Sequence, residues 1–183
     1  MKQESSINPR SPEMSSIVTL ADGLVHKKPR LWHKKRRVIQ IIKTLDERYN
    51  LDFFPKIYEI NDDGFTYEYV NGMTVDQFVL NGGKLYHNDI IKIKIAMDRI
   101  FAKLYDVARK ETAFMENKFM WYGDPNPDNV IWDFKNETLR LIDIDSISIS
   151  KLIPISYVNI TLIQQLEHVY MTNFFEGSDS NKK

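Results

Sequence analysis

The sequence has no cysteine and only seven glycines among its 183 residues. The absence of cysteine excludes disulfide bonds and thiolate-bound metals, and it fits a reducing compartment. The first six residues contain no apolar signal region, and no apolar run approaches the roughly 20 residues that a membrane-spanning helix needs. These absences predict a cytoplasmic protein.

Acidic residues are missing from residues 27–43, where eight lysines and arginines occur. The formal net charge of zero therefore conceals a segregation of charge along the chain. The most basic part, residues 27–37, could contact nucleotide phosphates, an anionic acceptor, the inner face of a membrane or nucleic acid, and nucleic acid is the least favoured of these. A solvated start of a helix is the simpler interpretation, and the sequence leaves both open.

The remaining composition, 43% hydrophobic and 27% charged, is typical of a globular chain that forms one domain. Alternating apolar residues around two turns predict the hairpins Ser15–Leu20 with Leu24–Lys28 and Phe54–Ile60 with Phe65–Val70. Apolar residues three and four positions apart predict the helices Leu31–Tyr49, Thr74–Leu80, His87–Glu111 and Tyr157–Phe175. In the long third helix, the predicted core positions are Ile93, Met97, Ile100, Leu104 and Val107.

Two short segments carry the strongest chemical signal. In the turn 122–131, Asp124 precedes Asn129 by five residues, and the apolar strand that follows ends at Asp143. Phosphoryl transfer from a nucleotide needs a carboxylate that receives or orients the acceptor proton, and an amide and a second carboxylate that hold magnesium. An ordinary polar turn followed by an edge strand is the alternative. The spacing of the two segments together favours the chemical interpretation.

The stretch Tyr-Gly-Asp-Pro-Asn-Pro-Asp-Asn and the later Ile-Asp resemble the catalytic loop and metal-binding strand of the kinase-like fold. The closest branch contains aminoglycoside phosphotransferases, choline and fructosamine kinases, and lipopolysaccharide-core sugar kinases, which show a His-Gly-Asp-x-x-x-x-Asn pattern. The resemblance implies that Asp124 is the catalytic residue and that Asn129 and Asp143 bind magnesium, with Asp145 as a secondary candidate. Tyr122 stands where the family usually has histidine.

The resemblance also implies an α+β fold, a small two-lobed protein-kinase-like domain over residues 1–176. Its reduced N-lobe, residues 1–70, would be an antiparallel sheet plus one helix, and its truncated, mainly helical C-lobe would be residues 71–176. Residues 177–183 have the composition of a disordered tail. The chain after Asp145 leaves room for one substantial helix, which favours a small or exposed acceptor over a folded protein.

In the N-lobe, Lys27 is the candidate for the lysine that pairs with the nucleotide phosphates, because it alternates inward with Val25 along its strand. Lys28 is the alternative if the register slips by one residue. Glu68 and Val70 lie in the segment that resembles the hinge, where backbone groups would hold adenine.

Two features depart from the family pattern. Met1–Met14, which would have to form the phosphate-covering loop, contains no glycine, and Leu31–Leu45 contains no acid that could position the lysine. The sequence predicts an ATP- and magnesium-dependent phosphotransferase that acts on a hydroxyl of a small-molecule or glycan acceptor. A pseudokinase that binds nucleotide or a partner protein without turnover is one alternative. A basic surface-binding module on a kinase-like scaffold is the other.

Overall fold

A computed structural model describes residues 17–151 of the chain. The residues 1–14, the predicted helix 157–175 and the predicted tail 177–183 lie outside this range. The chain divides into two compact units between Asn71 and Gly72. The assignment of residues 1–70 and 71–176 to an N-lobe and a C-lobe stays a prediction.

From residue 17 to residue 71, the first unit contains an antiparallel sheet of four strands and one helix. The strands are β1 (Ile17–Ala21), β2 (Leu24–Lys28), β3 (Ile57–Ile60) and β4 (Phe65–Glu68), and the helix is α1 (Trp32–Tyr49). The strand order is β1-β2-β4-β3. Both predicted hairpins and the predicted helix are therefore present.

The first hairpin turns at Asp22 and Gly23, whose φ angles of 52° and 74° are both positive. This is the backbone geometry that a two-residue turn needs to match the twist of its strands, and an Asp-Gly pair adopts it readily. The second hairpin is shorter than predicted at its start. The N–H of Phe54 donates to the carbonyl of Leu51 across 2.9 Å, and Phe53 and Phe54 are buried against each other in a turn.

The core of the first unit lies on one face of the sheet. In register, Val25 lies opposite Tyr67, and Ile57 also lies opposite Tyr67, so their side chains share a face. All three are buried. The apolar stripe of α1 is buried as well, with its members Trp32, Ile39, Ile42 and Leu45 between 0 and 9% exposed. Each such side chain contributes about 1.5–3 kcal/mol by leaving water.

From residue 72 to residue 151, the second unit contains two α-helices and two antiparallel ribbons. The helices are α2 (Val75–Leu80) and α3 (His87–Lys110), and the strands are β5 (Phe119–Tyr122), β6 (Val130–Asp133), β7 (Thr138–Leu141) and β8 (Ile147–Ser150). Strand β6 pairs with β7, and β5 pairs with β8. The pairing of β5 with β8 was not predicted.

Both helices begin and pack as their sequences predict. Thr74 caps α2, since its hydroxyl accepts from the Gln77 N–H and the Gln77 side chain accepts from the Thr74 N–H, both across 3.1 Å. All five predicted core positions of α3 are buried. The helix lies against β5, where Tyr105 stacks on Phe119 with ring centroids 5.6 Å apart. No helix within residues 17–151 is long and apolar enough to cross a bilayer.

Gly64 ends the turn between β3 and β4 and lies directly against the backbone of β2. A Cβ atom on Gly64 would be 2.2 Å from the carbonyl oxygen of Lys27. Because the obstructing atom belongs to the backbone of a paired strand, it cannot rotate away. The close approach of these two strands therefore requires glycine at this position.

We expect Gly64→Ala to lower the free energy of unfolding by about 2 kcal/mol or more, because the added methyl group must push β2 away from the turn. Gly23→Ala is the matched control. Its Cβ would meet no atom within 4 Å, and its positive φ alone should cost about 1 kcal/mol. Urea unfolding followed by circular dichroism measures both. A smaller effect at Gly64 than at Gly23 would contradict the proposed packing.

Candidate functional site

Asp124 lies in the loop that follows β5, and two side-chain amides hold its carboxylate. The amide of Asn126 donates to one carboxylate oxygen, and the Nδ2 of Asn129 donates to the other across 3.2 Å. The same Nδ2 also reaches the backbone carbonyl of Asp124, at 3.1 Å. The loop is therefore closed on itself, and the predicted pair Asp124 and Asn129 is in direct contact.

Asn129 is brought near Asp143 by the register of β6 and β7. Val130 pairs with Leu141, and just beyond that pair the N–H of Ile142 donates to the carbonyl of Asn129 across 3.0 Å. Asp143 is the next residue along the chain. The structure thus brings together the three residues that the sequence predicted as catalytic and metal-binding.

The Asp143 carboxylate has a partner that the sequence analysis missed. The hydroxyl of Ser146 donates to it, and the N–H of Ser146 donates to the Asp143 carbonyl across 3.0 Å. An Asp followed three residues later by Ser is the pattern of a short side-chain-capped turn, so a signal for this contact was present. Asn126, two residues after Asp124, is the other missed contact.

Gly123 links the two loops. Its N–H donates to the carbonyl of Ser146 across 3.0 Å, and a Cβ on Gly123 would be 2.8 Å from that oxygen. The contact extends the β5–β8 ribbon, in which Tyr122 lies opposite Ile147. Glycine before Asp124 therefore allows the two acidic loops to lie side by side.

Tyr122 lies beneath these loops and is fully buried. Burial raises the pKa of its hydroxyl well above the usual range, and the negative charge of Asp143 adds to the rise. A backbone hydrogen bond from Asp143 partly offsets it, while the charges of Asp124 and Asp145 raise the pKa further. Three carboxylates are therefore close enough to one buried hydroxyl to act on its ionisation.

In the first unit, the sheet separates the two candidate lysines. Lys27 lies opposite Phe65, on the face that also carries the buried Val25, and its side chain is half-buried. Lys28 points to the opposite face, is exposed, and forms an ion pair with Asp63 at 2.8 Å. The register therefore places Lys27, and not Lys28, on the inward face, as the alternation predicted.

Glu68 and Val70 lie at and just after the end of β4. The N–H of Glu68 donates to the Lys56 carbonyl across 2.9 Å, and its carboxylate accepts from the Lys56 N–H across 3.1 Å. The backbone N–H of Tyr69 donates to the carbonyl of Gly23 across 3.1 Å. The segment is extended and tied to the sheet on both sides, and Val70 is half-buried.

Solved structures with similar backbones include WbdD, which is also described as a bifunctional kinase-methyltransferase, with a TM-score of 0.54 and 17% identity. The match covers 86% of this chain and 36% of that one. The chain has a protein-kinase-like fold. Two aminoglycoside phosphotransferases are also similar. APH(2'')-Ib bound to ADP gives a TM-score of 0.53 at 11% identity, and APH(2'')-IIa bound to gentamicin gives 0.51 at 13%.

These matches cover 89% and 88% of this chain, and 79% and 78% of the two phosphotransferases. The chain spans about a third of the length of the WbdD chain it matches. No protein-family model and no curated protein sequence matches significantly. The resemblance therefore rests on structure, and it confirms the kinase-like α+β fold predicted from the loop motif.

Helix α1 has two acidic residues, Asp46 and Glu47, and both lie in its last turn. The Asp46 carboxylate accepts from the N–H of Leu51 across 2.7 Å, at the end of the helix. Glu47 forms an ion pair with Lys43 at 3.2 Å. Both acids of α1 are thus engaged at its C-terminal end.

Asn129 and Asp143 provide oxygen donors that suit magnesium. Because the Nδ2 of Asn129 faces Asp124, its amide oxygen is turned away from that carboxylate. Within residues 17–151, no group of three or more acidic or histidine side chains is arranged to hold a metal. Magnesium commonly takes only one or two protein ligands and completes its shell with water and substrate phosphates. The donor set fits a metal that arrives with a nucleotide.

The buried Tyr122 gives a prediction for alkaline pH. Its pKa is raised in the folded state, whereas an unfolded tyrosine titrates near pH 10. The contribution of Tyr122 to the free energy of unfolding is therefore fully present below about pH 10. It falls above that pH, because the unfolded chain loses the tyrosine proton first. Tyr122→Phe should lose less stability than wild type between about pH 9.5 and 11, by up to about 1.4 kcal/mol per pH unit. Urea unfolding at stepped pH measures this, and equal slopes would contradict the buried placement.

Proposed function

We propose that this chain is an ATP- and magnesium-dependent phosphotransferase that phosphorylates a hydroxyl of a small-molecule or glycan acceptor. Asp124 orients the acceptor hydroxyl and receives its proton. Asn129 and Asp143 hold the metal, and Lys27 pairs with the phosphates. The backbone of the segment from Glu68 to Val70 holds the adenine ring.

The contact between Asn129 and Asp124, with Asp143 beside it, is the observation that supports this proposal most. In phosphoryl transfer the protein supplies positioning and electrostatic stabilisation, and little covalent chemistry. An amide that donates to one carboxylate and presents its oxygen elsewhere links the acceptor-orienting group to the metal ligand.

The electrostatics of the loops also support a bound cation. The negative charges of Asp124, Asp143 and Asp145 all raise the pKa of the buried Tyr122 hydroxyl, so carboxylates are concentrated at these loops. Two like charges about 4 Å apart repel by about 4 kcal/mol at a typical effective dielectric constant of 20. Asn129 and Asp143 would hold a magnesium ion, whose positive charge would offset repulsion of this kind.

The face of the sheet that carries Lys27 is open and apolar at its edge. Val18 lies opposite Lys27 and Leu20 opposite Val25, so all four side chains share this face. Val18 and Leu20 are each 46% exposed. An apolar shelf beside a cation is suited to a flat base linked to phosphates, which supports nucleotide binding here.

Two observations support the proposed class of acceptor: a solved structure of similar fold and the basic segment 27–37. A neighbour of similar fold is bound to gentamicin, a small polyhydroxylated molecule, which supports a small-molecule hydroxyl as acceptor. Among the cations of residues 27–37, Arg30, Lys34 and Arg37 are exposed. These side chains could attract an anionic acceptor or an anionic surface.

The pseudokinase is the second candidate function, and the lack of a positioning acid in α1 favours it.

Asp124→Ala and Lys27→Ala separate the two candidates. Deleting the Asp124 carboxylate should leave nucleotide affinity nearly unchanged and lower turnover on the order of a hundredfold or more. Lys27→Ala should weaken both. Nucleotide titration and ATP consumption with pooled sugar and glycan acceptors measure these effects. Binding without turnover in wild type would favour the pseudokinase.

Metal binding at Asp143 has a test that does not need the acceptor. A ligand that binds only the folded state raises the melting temperature by mass action. ATP should therefore stabilise wild type more with magnesium than with EDTA, and Asp143→Asn should abolish this increment. The variant keeps an oxygen that can accept from the Ser146 hydroxyl, so we expect the fold to be preserved. Asp106→Asn, on α3, is the control, and an unchanged increment in Asp143→Asn would remove that residue from the site.

A further inference from the structure

Ser146 ends the short turn Ile144–Ser146, which leads into β8. Three groups of this one residue form hydrogen bonds within the candidate site. Its hydroxyl donates to the Asp143 carboxylate, and its N–H donates to the Asp143 carbonyl across 3.0 Å. Its carbonyl accepts from the N–H of Gly123, also across 3.0 Å. Ser146 therefore contacts both the predicted metal ligand and the residue that precedes Asp124.

The backbone on both sides of Asp143 is bonded to the turn 122–131. Before Asp143, the N–H of Ile142 donates to the carbonyl of Asn129 across 3.0 Å. After it, the carbonyl of Ser146 accepts from Gly123. The backbone of Asp143 cannot move away from the turn unless one of these bonds breaks. Rotation of the Asp143 side chain is a separate freedom, which the two backbone bonds do not remove.

The hydroxyl of Ser146 restricts that rotation. It donates to the Asp143 carboxylate from a turn that is anchored on both sides, because Ile144 and Ile147 are each 1% exposed. A hydroxyl held by an anchored turn fixes the direction in which its acceptor points. Carboxylates that bind metals are commonly oriented in this way by a hydrogen-bond donor that does not itself touch the metal.

The hydrogen bond from Ser146 is compatible with metal binding at Asp143. The two oxygens of a carboxylate have about four lone-pair positions between them. One position can accept from the hydroxyl while another faces a metal. The contact therefore need not break when a metal is bound.

We infer that Ser146 is a positioning residue for the metal site, because its hydroxyl orients the Asp143 carboxylate toward the metal position shared with Asn129. This inference rests on the proposed function, in which Asn129 and Asp143 hold magnesium. Ser146 acts through Asp143. Its backbone carbonyl keeps that ligand beside the loop of Asp124 at the same time.

The direction of one change separates positioning from competition. If the hydroxyl only occupied the Asp143 carboxylate, its removal would free the ligand and strengthen metal binding. If the hydroxyl orients the carboxylate, its removal weakens metal binding. Ser146→Ala deletes the hydroxyl and keeps the backbone bonds to Asp143 and Gly123. The variant therefore tests the hydroxyl alone.

The experiment measures the Kd of a non-hydrolysable ATP analogue by calorimetric titration, once with magnesium and once with EDTA. The ratio of the Kd in EDTA to the Kd in magnesium is the metal increment. Ser146→Ala should lower the increment about tenfold, the lower end of the usual effect of removing such a partner. The Kd in EDTA should stay unchanged, because Ser146 acts only on the metal ligand. A general loosening of the loops would change both Kd values.

Two further variants serve as matched controls. Ser146→Thr keeps the hydroxyl and should retain most of the metal increment. Ser148→Ala removes another half-buried hydroxyl two residues along the chain, within β8, and should leave both Kd values unchanged. A melting temperature of Ser146→Ala close to that of wild type excludes partial unfolding as the cause of a lost increment.

Asp143→Asn shows whether Ser146 acts through Asp143. In this background, the addition of Ser146→Ala should change neither Kd, because the ligand that the hydroxyl orients is already lost. A further fall in the increment would mean that Ser146 acts by another route, such as direct contact with the metal. That result would overturn the inference.

The remaining outcomes distinguish this inference from the proposed function. If Asp143→Asn loses the increment while Ser146→Ala keeps it unchanged or raises it, the inference is wrong and the proposed metal site stands. The inference is also wrong if Ser146→Thr loses as much of the increment as Ser146→Ala. If wild type shows no increment at all, the proposed metal site fails and the inference fails with it.

Discussion

The antiparallel pairing of β6 with β7 determines where the candidate metal ligands lie. Asn129 precedes one strand and Asp143 follows the other, so the Val130–Leu141 pair brings them together. The Nδ2 of Asn129 then reaches back to Asp124 and closes the loop. A slip of one residue in this register would turn every side chain of one strand to the other face and separate the ligands. The buried residues Val130, Trp132 and Leu141 resist such a slip.

The two units differ in the sign of the charges that they concentrate. The second unit gathers carboxylates around a buried tyrosine, whose pKa is raised by burial and by their negative charge. The first unit concentrates cations in and around α1, and its hairpin turn supplies the acids that pair with Lys28 and Arg36. The turn between β3 and β4 therefore connects β2 to α1 through two ion pairs.

Much of the fold followed from local patterns in the sequence. The apolar spacing of α3 predicted its core from Ile93 to Val107, and the Asp22-Gly23 turn predicted the first hairpin. The β5–β8 ribbon was missed because its strands are separated by two other elements, and long-range pairing leaves little local trace. The turn contacts of Asp62 and Asp63 were missed for the same reason, since their partners lie 26 and 35 residues away. The loop motif predicted which residues meet, but not that Asn126 and Ser146 hold them.

We propose that Asn129 and Asp143 form a metal site that is completed by a nucleotide. Manganese, which prefers the same oxygen donors as magnesium, reports this directly through the loss of its free electron paramagnetic resonance signal. With only two protein donors, wild type should take up little manganese alone and should gain one tightly held ion when a non-hydrolysable ATP analogue is added. Asn129→Ala should lose this gain while the melting temperature stays near wild type. Uptake that the analogue does not increase, or that survives in Asn129→Ala, would contradict a metal site at Asn129 and Asp143 that a nucleotide completes.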